Sequence, residues 1–211
     1  MKLYLSSYRL GRDRDALRHL VGHSGRAGIV LNALDLYATD RSDALGRERD
    51  DLAKIGFEAD EIDLRSYFAS PTELRSRLES YDIVWVVGGN TFVLARAMAQ
   101  SHFNDAIHER LLNRRIVYAG YSAGVCVIGP DLDGCHLMDD PHGIPDGYSP
   151  EVLPSPLGWI PWRIVPHYRS DHPESPLADL AVNHLLEAGL PFQALRDGQA
   201  FVLDGEHDYL V

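Results

Sequence analysis

Apolar residues along this chain come in short runs, separated by longer stretches whose apolar positions recur at helical spacing. Residues 2–6 (KLYLS) and 28–31 (GIVL) are short runs that predict buried strands. Residues 82–87 (DIVWVV) form the most hydrophobic run, and residues 115–119 (RIVYA) add another rich in β-branched and aromatic side chains. Residues 57–64 (FEADEIDL) alternate apolar and polar, as a strand near a sheet edge does. Between these runs, Leu17, Leu20 and Val21 share one helical face, and residues 39–55 carry Leu45, Leu52 and Ile55 before a stop at Gly56. Ser70-Pro71-Thr72-Glu73 reads as an N-cap, a proline at the first helical position and a glutamate at the third. Helices are also predicted over 91–100, capped by Asn90, over 105–113, and over 177–188 with Gly189 at the end.

Strands alternating with helices imply βαβ units. The fold class expected is therefore α/β: a single domain spanning residues 1–211, with a mostly parallel sheet and helices on both faces. Residues 192–195, 200–203 and 209–211 close the chain, and the Asp-Gly turns between them suit an antiparallel hairpin near the C-terminus. Residues 131–162 have no periodicity and are rich in proline and glycine, which predicts a loop-rich segment folded beside the active site.

Composition narrows the function. Hydrophobic residues make up 45% and charged residues 24%, ordinary values for a globular chain. A net charge of −11 argues against a nucleic-acid partner, which would need clustered Lys and Arg, and against an anionic membrane surface. Cys126 and Cys135 give no disulfide framework. The amino terminus has no apolar leader core and no run reaches spanning length, so a cytoplasmic location is expected. Neither a cofactor nor a metal is implied, and a homodimer is compatible with a sequence that does not set the oligomeric state.

The chemistry converges on one stretch. The strand at 115–119 runs into Gly120-Tyr121-Ser122-Ala123-Gly124 and then into an apolar segment, Val125-Cys126-Val127-Ile128, expected to be helical. Strand, G-x-S-x-G, helix is the arrangement of a nucleophile elbow, in which Ser122 is held on a strained turn and free N–H groups face developing negative charge. Such a serine needs a base and an acid that orients it. Among ten histidines, His167 directly follows the strand at 163–165, which places it at the same sheet edge as Ser122. Asp197 also follows a strand. Gly88-Gly89-Asn90 follows the most hydrophobic strand, so Gly88 or Gly89 could bring a backbone N–H to the oxyanion beside that of Ala123. His136 and His142 flank Asp139-Asp140, a mixed-ligand metal alternative without a strong spacing motif.

Three stretches together carry a resemblance: Val87-Gly88-Gly89-Asn90-Thr91-Phe92, Gly120-Tyr121-Ser122-Ala123-Gly124, and Pro166-His167-Tyr168 with Ser170-Asp171-His172-Pro173. In this order they resemble the peptidase E family, the aspartyl dipeptidases, which are related to cyanophycinase and share a fold akin to class I glutamine amidotransferases. The resemblance implies a serine exopeptidase of small peptides that acts without a metal. It puts the nucleophile on Ser122, the base on His167, the acid on Asp197 (where the dipeptidases carry Glu) and an oxyanion donor on Gly89. It also implies a preference for an amino-terminal Asp. Expected substrate contacts are Asn90, an acidic residue at Asp139 or Asp140, and Arg169 as the cation nearest in sequence to meet the substrate's carboxylate. Other readings stay open at this point. A carboxypeptidase on longer peptides would use the same group, an α/β-hydrolase esterase would use Ser122, Asp171 or Asp197, and His207, and a binding module would have lost catalysis.

Overall fold

The computed structural model describes residues 1–37, 41–205 and 207–211. In chain order the elements are β1 (Lys2–Ser6), α1 (Arg14–Val21), β2 (Gly25–Val30), α2 (Arg41–Lys54), β3 (Phe57–Glu61), α3 (Pro71–Leu78), β4 (Ile83–Val86), α4 (Thr91–Gln100), α5 (Phe103–Leu112), β5 (Val117–Tyr121), α6 (Ala123–Cys126), β6 (Arg163–Val165), α7 (Ser175–Glu187), β7 (Phe192–Ala194), β8 (Ala200–Asp204) and β9 (His207–Leu210). The sequence places the start of the second helix at Thr39, which lies outside the described residues.

Among the described residues, seven strands form one sheet in the order β3-β2-β4-β5-β1-β8-β9. The first five run parallel, while β8 is antiparallel to β1 and β9 to β8. Their alternation divides the core between two faces. Leu3, Leu5, Val84, Val86 and Tyr118 pack with residues of α3, α4 and α5. Tyr4, Ile29, Ile83, Trp85 and Tyr121 pack with Leu17, Leu20, Ala44 and Leu52 from α1 and α2. Both faces are therefore covered, which is why these strands read as unbroken apolar runs. β3, the strand expected near an edge, is an edge strand, with β9 at the other side.

Three local expectations need correcting. β7 is not part of a closing hairpin: it pairs in parallel with β6 in a separate two-stranded sheet, and only β8 and β9 form the hairpin, through Asp204-Gly205. Secondly, α6 is a single turn rather than a helix through Ile128. The carbonyls of Val127, Ile128 and Gly129 instead accept the N–H groups of Leu157, Trp159 and Gly158, so this apolar run is bound to the long loop. Thirdly, the strand at 57–64 stops at Glu61, and a 3₁₀ turn, Leu64–Tyr67, follows with Asp63 capping it.

The segment 131–162 holds one 3₁₀ turn, Cys135–Leu137. It packs on the body through buried Tyr148 and Ile160, and Tyr148 Oη donates to Asp35 Oδ2 at 2.6 Å. No described helix is long and apolar enough to cross a membrane.

Candidate active site

The main sheet and the small sheet deliver their chain ends to one edge. Ser7 follows β1, Gly88 and Gly89 follow β4, and Ser122 follows β5. Because β6 and β7 are parallel, His167 and Asp197 leave the small sheet together, tied by Leu195 N–H to Val165 O and Tyr168 N–H to Leu195 O.

Ser122 sits at φ 52°, ψ −121°, a conformation that L-residues avoid and that costs on the order of 1–3 kcal/mol. Its N–H donates to Ser7 O at 3.2 Å, and its carbonyl accepts from Val125 and Cys126. The flanking glycine at 120 is required by close approach: a Cβ there would lie 2.6 Å from Val86 O. A Cβ on Gly88 would lie 2.7 Å from Ser122 Cβ, so the β4 turn lies directly against the serine. The N–H groups of Gly89 and Ala123 have no acceptor among the described residues.

His167 is 1% exposed and also has positive φ, 60°. Its Nδ1 lies 2.8 Å from Asp197 Oδ1. Ser7, which sequence reasoning passed over, links these groups: its Oγ accepts from His167 N–H at 2.8 Å and donates to Asp197 Oδ1 at 2.7 Å. Asp197 N–H in turn donates to Ser170 Oγ at 2.7 Å. Burial lowers the His167 pKa from its ordinary value, Asp197 pulls it back up, and neighbouring His172 adds to the lowering. The imidazole of His172 stacks on His167 with centroids 3.8 Å apart and planes 7° from parallel. His167 Nε2 faces Glu174 Oε2 at 3.7 Å. Among the described residues no hydrogen bond joins Ser122 Oγ to His167.

A cavity of about 10 Å³ at Ser122 is bounded by Thr91, Ala123, Cys126, Asp139 and Glu174 among others, room for about one water molecule. Asp139 Oδ2 accepts from Thr91 N–H at 2.9 Å. Burial raises its carboxyl pKa, and burial followed by the charge of Asp139 raises that of Glu174. Of the two aspartates singled out, Asp139 lines the cavity, whereas Asp140 is exposed and its Oδ1 accepts from His142 N–H.

Other sequence candidates fall elsewhere. Asn90 is buried and committed to the frame: Oδ1 accepts from Phe92 and Val93 N–H, and Nδ2 donates to Asp140 O. Arg169 is exposed, with its guanidinium over the Tyr168 ring at 4.9 Å, and does not line the cavity. The cations near this edge are instead Arg9, Arg12, Arg14 and Lys54, around a cleft of about 350 Å³ bounded also by Tyr8 and Gly198. Tyr8 separates it from the histidines, its ring edge-on to both His167 and His172. Arg9 and Lys54 pair with Asp51, while Arg12 and Arg14 have no ion pair among the described residues. His207 pairs with Asp204, which pairs with Lys2 at the amino end of β1, the opposite end of the sheet from Ser122. His136 and His142 form no ligand cluster with Asp139 and Asp140 among the described residues; the grouping that does form is His167, His172 and Glu174.

The sequence model of peptidase family S51 matches residues 37–211. The chain is 30% identical over 143 residues to a probable alpha-aspartyl dipeptidase of Drosophila melanogaster, a match covering 64% of this chain and 55% of that protein. It is 28% identical to a peptidase E of Streptomyces coelicolor, over 87% of this chain and 72% of that one. In three dimensions it superposes on a putative peptidase E from Listeria monocytogenes with a TM-score of 0.79 at 18% identity, covering 100% of this chain and 97% of the other. A peptidase from an acI-B1 actinobacterium gives a TM-score of 0.73 at 18% identity, covering 100% and 86%. At such identities the structural matches bear on the fold alone.

Proposed function

This chain belongs to peptidase family S51, and on that premise we propose that its 211 residues act as one serine peptidase domain on small peptides. Ser122 is the nucleophile, His167 the base and Asp197 the acid that orients the base, with no metal or cofactor in the chemical step. The observation that carries this reading is the pairing of His167 Nδ1 with Asp197 Oδ1 at 2.8 Å, on the edge where the strained Ser122 turn emerges. With Nδ1 committed as donor to the carboxylate, Nε2 is the nitrogen left to take a proton.

In the reaction, Ser122 Oγ attacks the scissile carbonyl carbon and its proton passes to His167 Nε2. The oxyanion is met by the unengaged N–H groups of Gly89 and Ala123. His167 then protonates the leaving amine, and water, deprotonated by the same nitrogen, releases the acyl group. A cavity of about 10 Å³ does not hold a peptide, so Glu174 and its neighbours move aside on binding. Closing over the substrate would exclude water and strengthen the polar contacts inside.

Substrate preference follows from charge. The relative in Drosophila is named for alpha-aspartyl dipeptides, and the Arg12–Arg14 cleft beyond Tyr8 offers unpaired cations to a substrate carboxylate. The same cations suit a free C-terminal carboxylate, so a carboxypeptidase on longer peptides is the second reading. The esterase alternative loses its base, since His207 lies at the far end of the sheet.

The test combines labelling and turnover. A fluorophosphonate should label Ser122 and fail on Ser122→Ala, and Ser122→Ala should lower kcat by on the order of 10⁴ to 10⁶. Activity of Ser122→Ala within tenfold of the parent would sink the assignment. Asp-X dipeptides turned over faster than longer peptides support the dipeptidase; the reverse order supports the carboxypeptidase. Chelator-treated protein should keep its activity.

A further inference from the structure

We propose that His167, His172 and Glu174 form a binding site for a divalent cation of the zinc class, and that its occupancy inhibits hydrolysis by taking the lone pair of the base. The inhibitory part rests on the reading of His167 as the base; the binding part does not.

One ligand atom from each of the three residues lies within 4.8 Å of the others. His167 Nε2 and Glu174 Oε2 are 3.7 Å apart, close to the roughly 3.3–3.5 Å that bonds of about 2.0–2.1 Å impose between ligands of a tetrahedral site. His167 is already dressed as a metal ligand. Its Nδ1 is held by Asp197 Oδ1 at 2.8 Å, and a carboxylate on the outer nitrogen fixes the tautomer whose Nε2 lone pair can bind a metal. That carboxylate is itself anchored by Ser7 Oγ.

His172 supplies the second imidazole from a ring stacked at 3.8 Å on the first. Parallel rings send their lone pairs side by side rather than to one point, so His172 must tilt. His172 is half-buried between exposed neighbours, Asp171 and Pro173, and a tilt gives up its stacking on His167. The tilt also costs the 3.2 Å hydrogen bond that His172 Nδ1 accepts from Glu174 N–H. Charge favours the cation: Asp139 and Asp197 both bear on the Glu174 carboxylate, and among the described residues no Lys or Arg lines the Ser122 cavity. Two imidazoles and one carboxylate suit zinc-class ions rather than magnesium, which prefers oxygen ligands in octahedral geometry. Three protein ligands leave a fourth position for water.

The experiment separates binding from inhibition. Zinc is titrated into metal-free Ser122→Ala protein by calorimetry, where no turnover is involved. One ion per chain is expected, weakened at least tenfold by His172→Ala and by the near-isosteric Glu174→Gln, with folding of each variant checked by circular dichroism. In the active protein, zinc should suppress turnover, chelator should restore it, magnesium should do neither, and Glu174→Gln should raise the inhibition constant at least tenfold. No zinc binding up to millimolar concentration, or binding and inhibition unchanged in both variants, overturns the proposal. So does activation by zinc. Failure of the serine mechanism would show separately, as turnover retained by Ser122→Ala.

Discussion

His167 must be neutral to act as a base, and its surroundings favour that state. Burial lowers its pKa below the ordinary 6.5, against the pull of Asp197. The group is therefore more than half unprotonated at pH 6.5, and the acid limb of kcat/KM should be centred below that pH. An acid limb centred above 6.5 would contradict this. Asp197→Asn removes the charge that raises the pKa, so the limb should move to still lower pH while kcat drops by on the order of 10⁴, as for a lost orienting acid. Ser7→Ala deletes one bond to His167 N–H and one to the Asp197 carboxylate. A bond to a charged group is worth about 1.5–3 kcal/mol, so roughly a tenfold to hundredfold loss in kcat is expected, with KM little changed. These residues were unequally legible. Ser122, His167 and Asp197 each follow a run that reads as a strand, so their shared edge could be argued from the sequence. The partners of Ser7 lie 160 and 190 residues away, and Glu174 stands outside the helix predicted over 177–188, so no local pattern marks either.

At the level of elements, the strand that delivers Ser122 is pinned from below by a buried carboxylate on α2. Glu48, 1% exposed, accepts from Trp85 Nε1–H of β4 at 2.8 Å and from Tyr121 Oη–H of β5 at 2.9 Å. Glu48→Ala leaves both buried donors unpaired, which should cost about 2–4 kcal/mol, read as a lower denaturation midpoint. Burial raises the Glu48 carboxyl pKa from 4.5, and the hydrogen bonds from Trp85 and Tyr121 only partly offset this. A carboxyl that binds its proton more tightly folded than unfolded costs stability as pH rises from 4.5 through the folded value. Glu48→Gln should flatten that part of the stability profile; an unchanged slope would show that another group sets it. The hydrophobic runs announced β1, β4 and β5 because strands covered on both faces are apolar throughout. Pairing partners were less legible. The Asp197-Gly198 turn looks like a hairpin turn, yet it carries the chain from the small sheet to the large one, and no local rule separates those outcomes. The apolar run after Cys126 looked helical because periodicity alone cannot show that its carbonyls are claimed by Leu157, Gly158 and Trp159.

Across the whole molecule, charge is segregated in a way that net composition hides. The chain carries −11 overall. The cavity at Ser122 is acidic, with Asp139 and Glu174 on its wall, yet the cleft across Tyr8 gathers Arg9, Arg12, Arg14 and Lys54. A small peptide lying over Tyr8 would have its ammonium drawn to the acids and a carboxylate to the arginines. Arg169, the nearest cation in sequence, lies exposed over the Tyr168 ring and lines neither region. Arg12 comes from the loop after β1, where distance along the sequence does not find it: its N–H donates to Gly198 O at 2.9 Å, beside the Asp197 turn. Arg12→Ala should therefore lower kcat/KM for acidic dipeptides by about tenfold or more while sparing neutral ones, since a charge-assisted bond to a carboxylate is roughly twice as strong as a neutral one. Arg169→Ala should leave the ratio between acidic and neutral substrates unchanged. Discrimination should also shrink as salt is raised from 0.01 to 0.15 M, where the screening length falls from about 30 to about 8 Å. If Arg169→Ala alone erased the preference for acidic substrates, the cleft beyond Tyr8 would have no part in specificity.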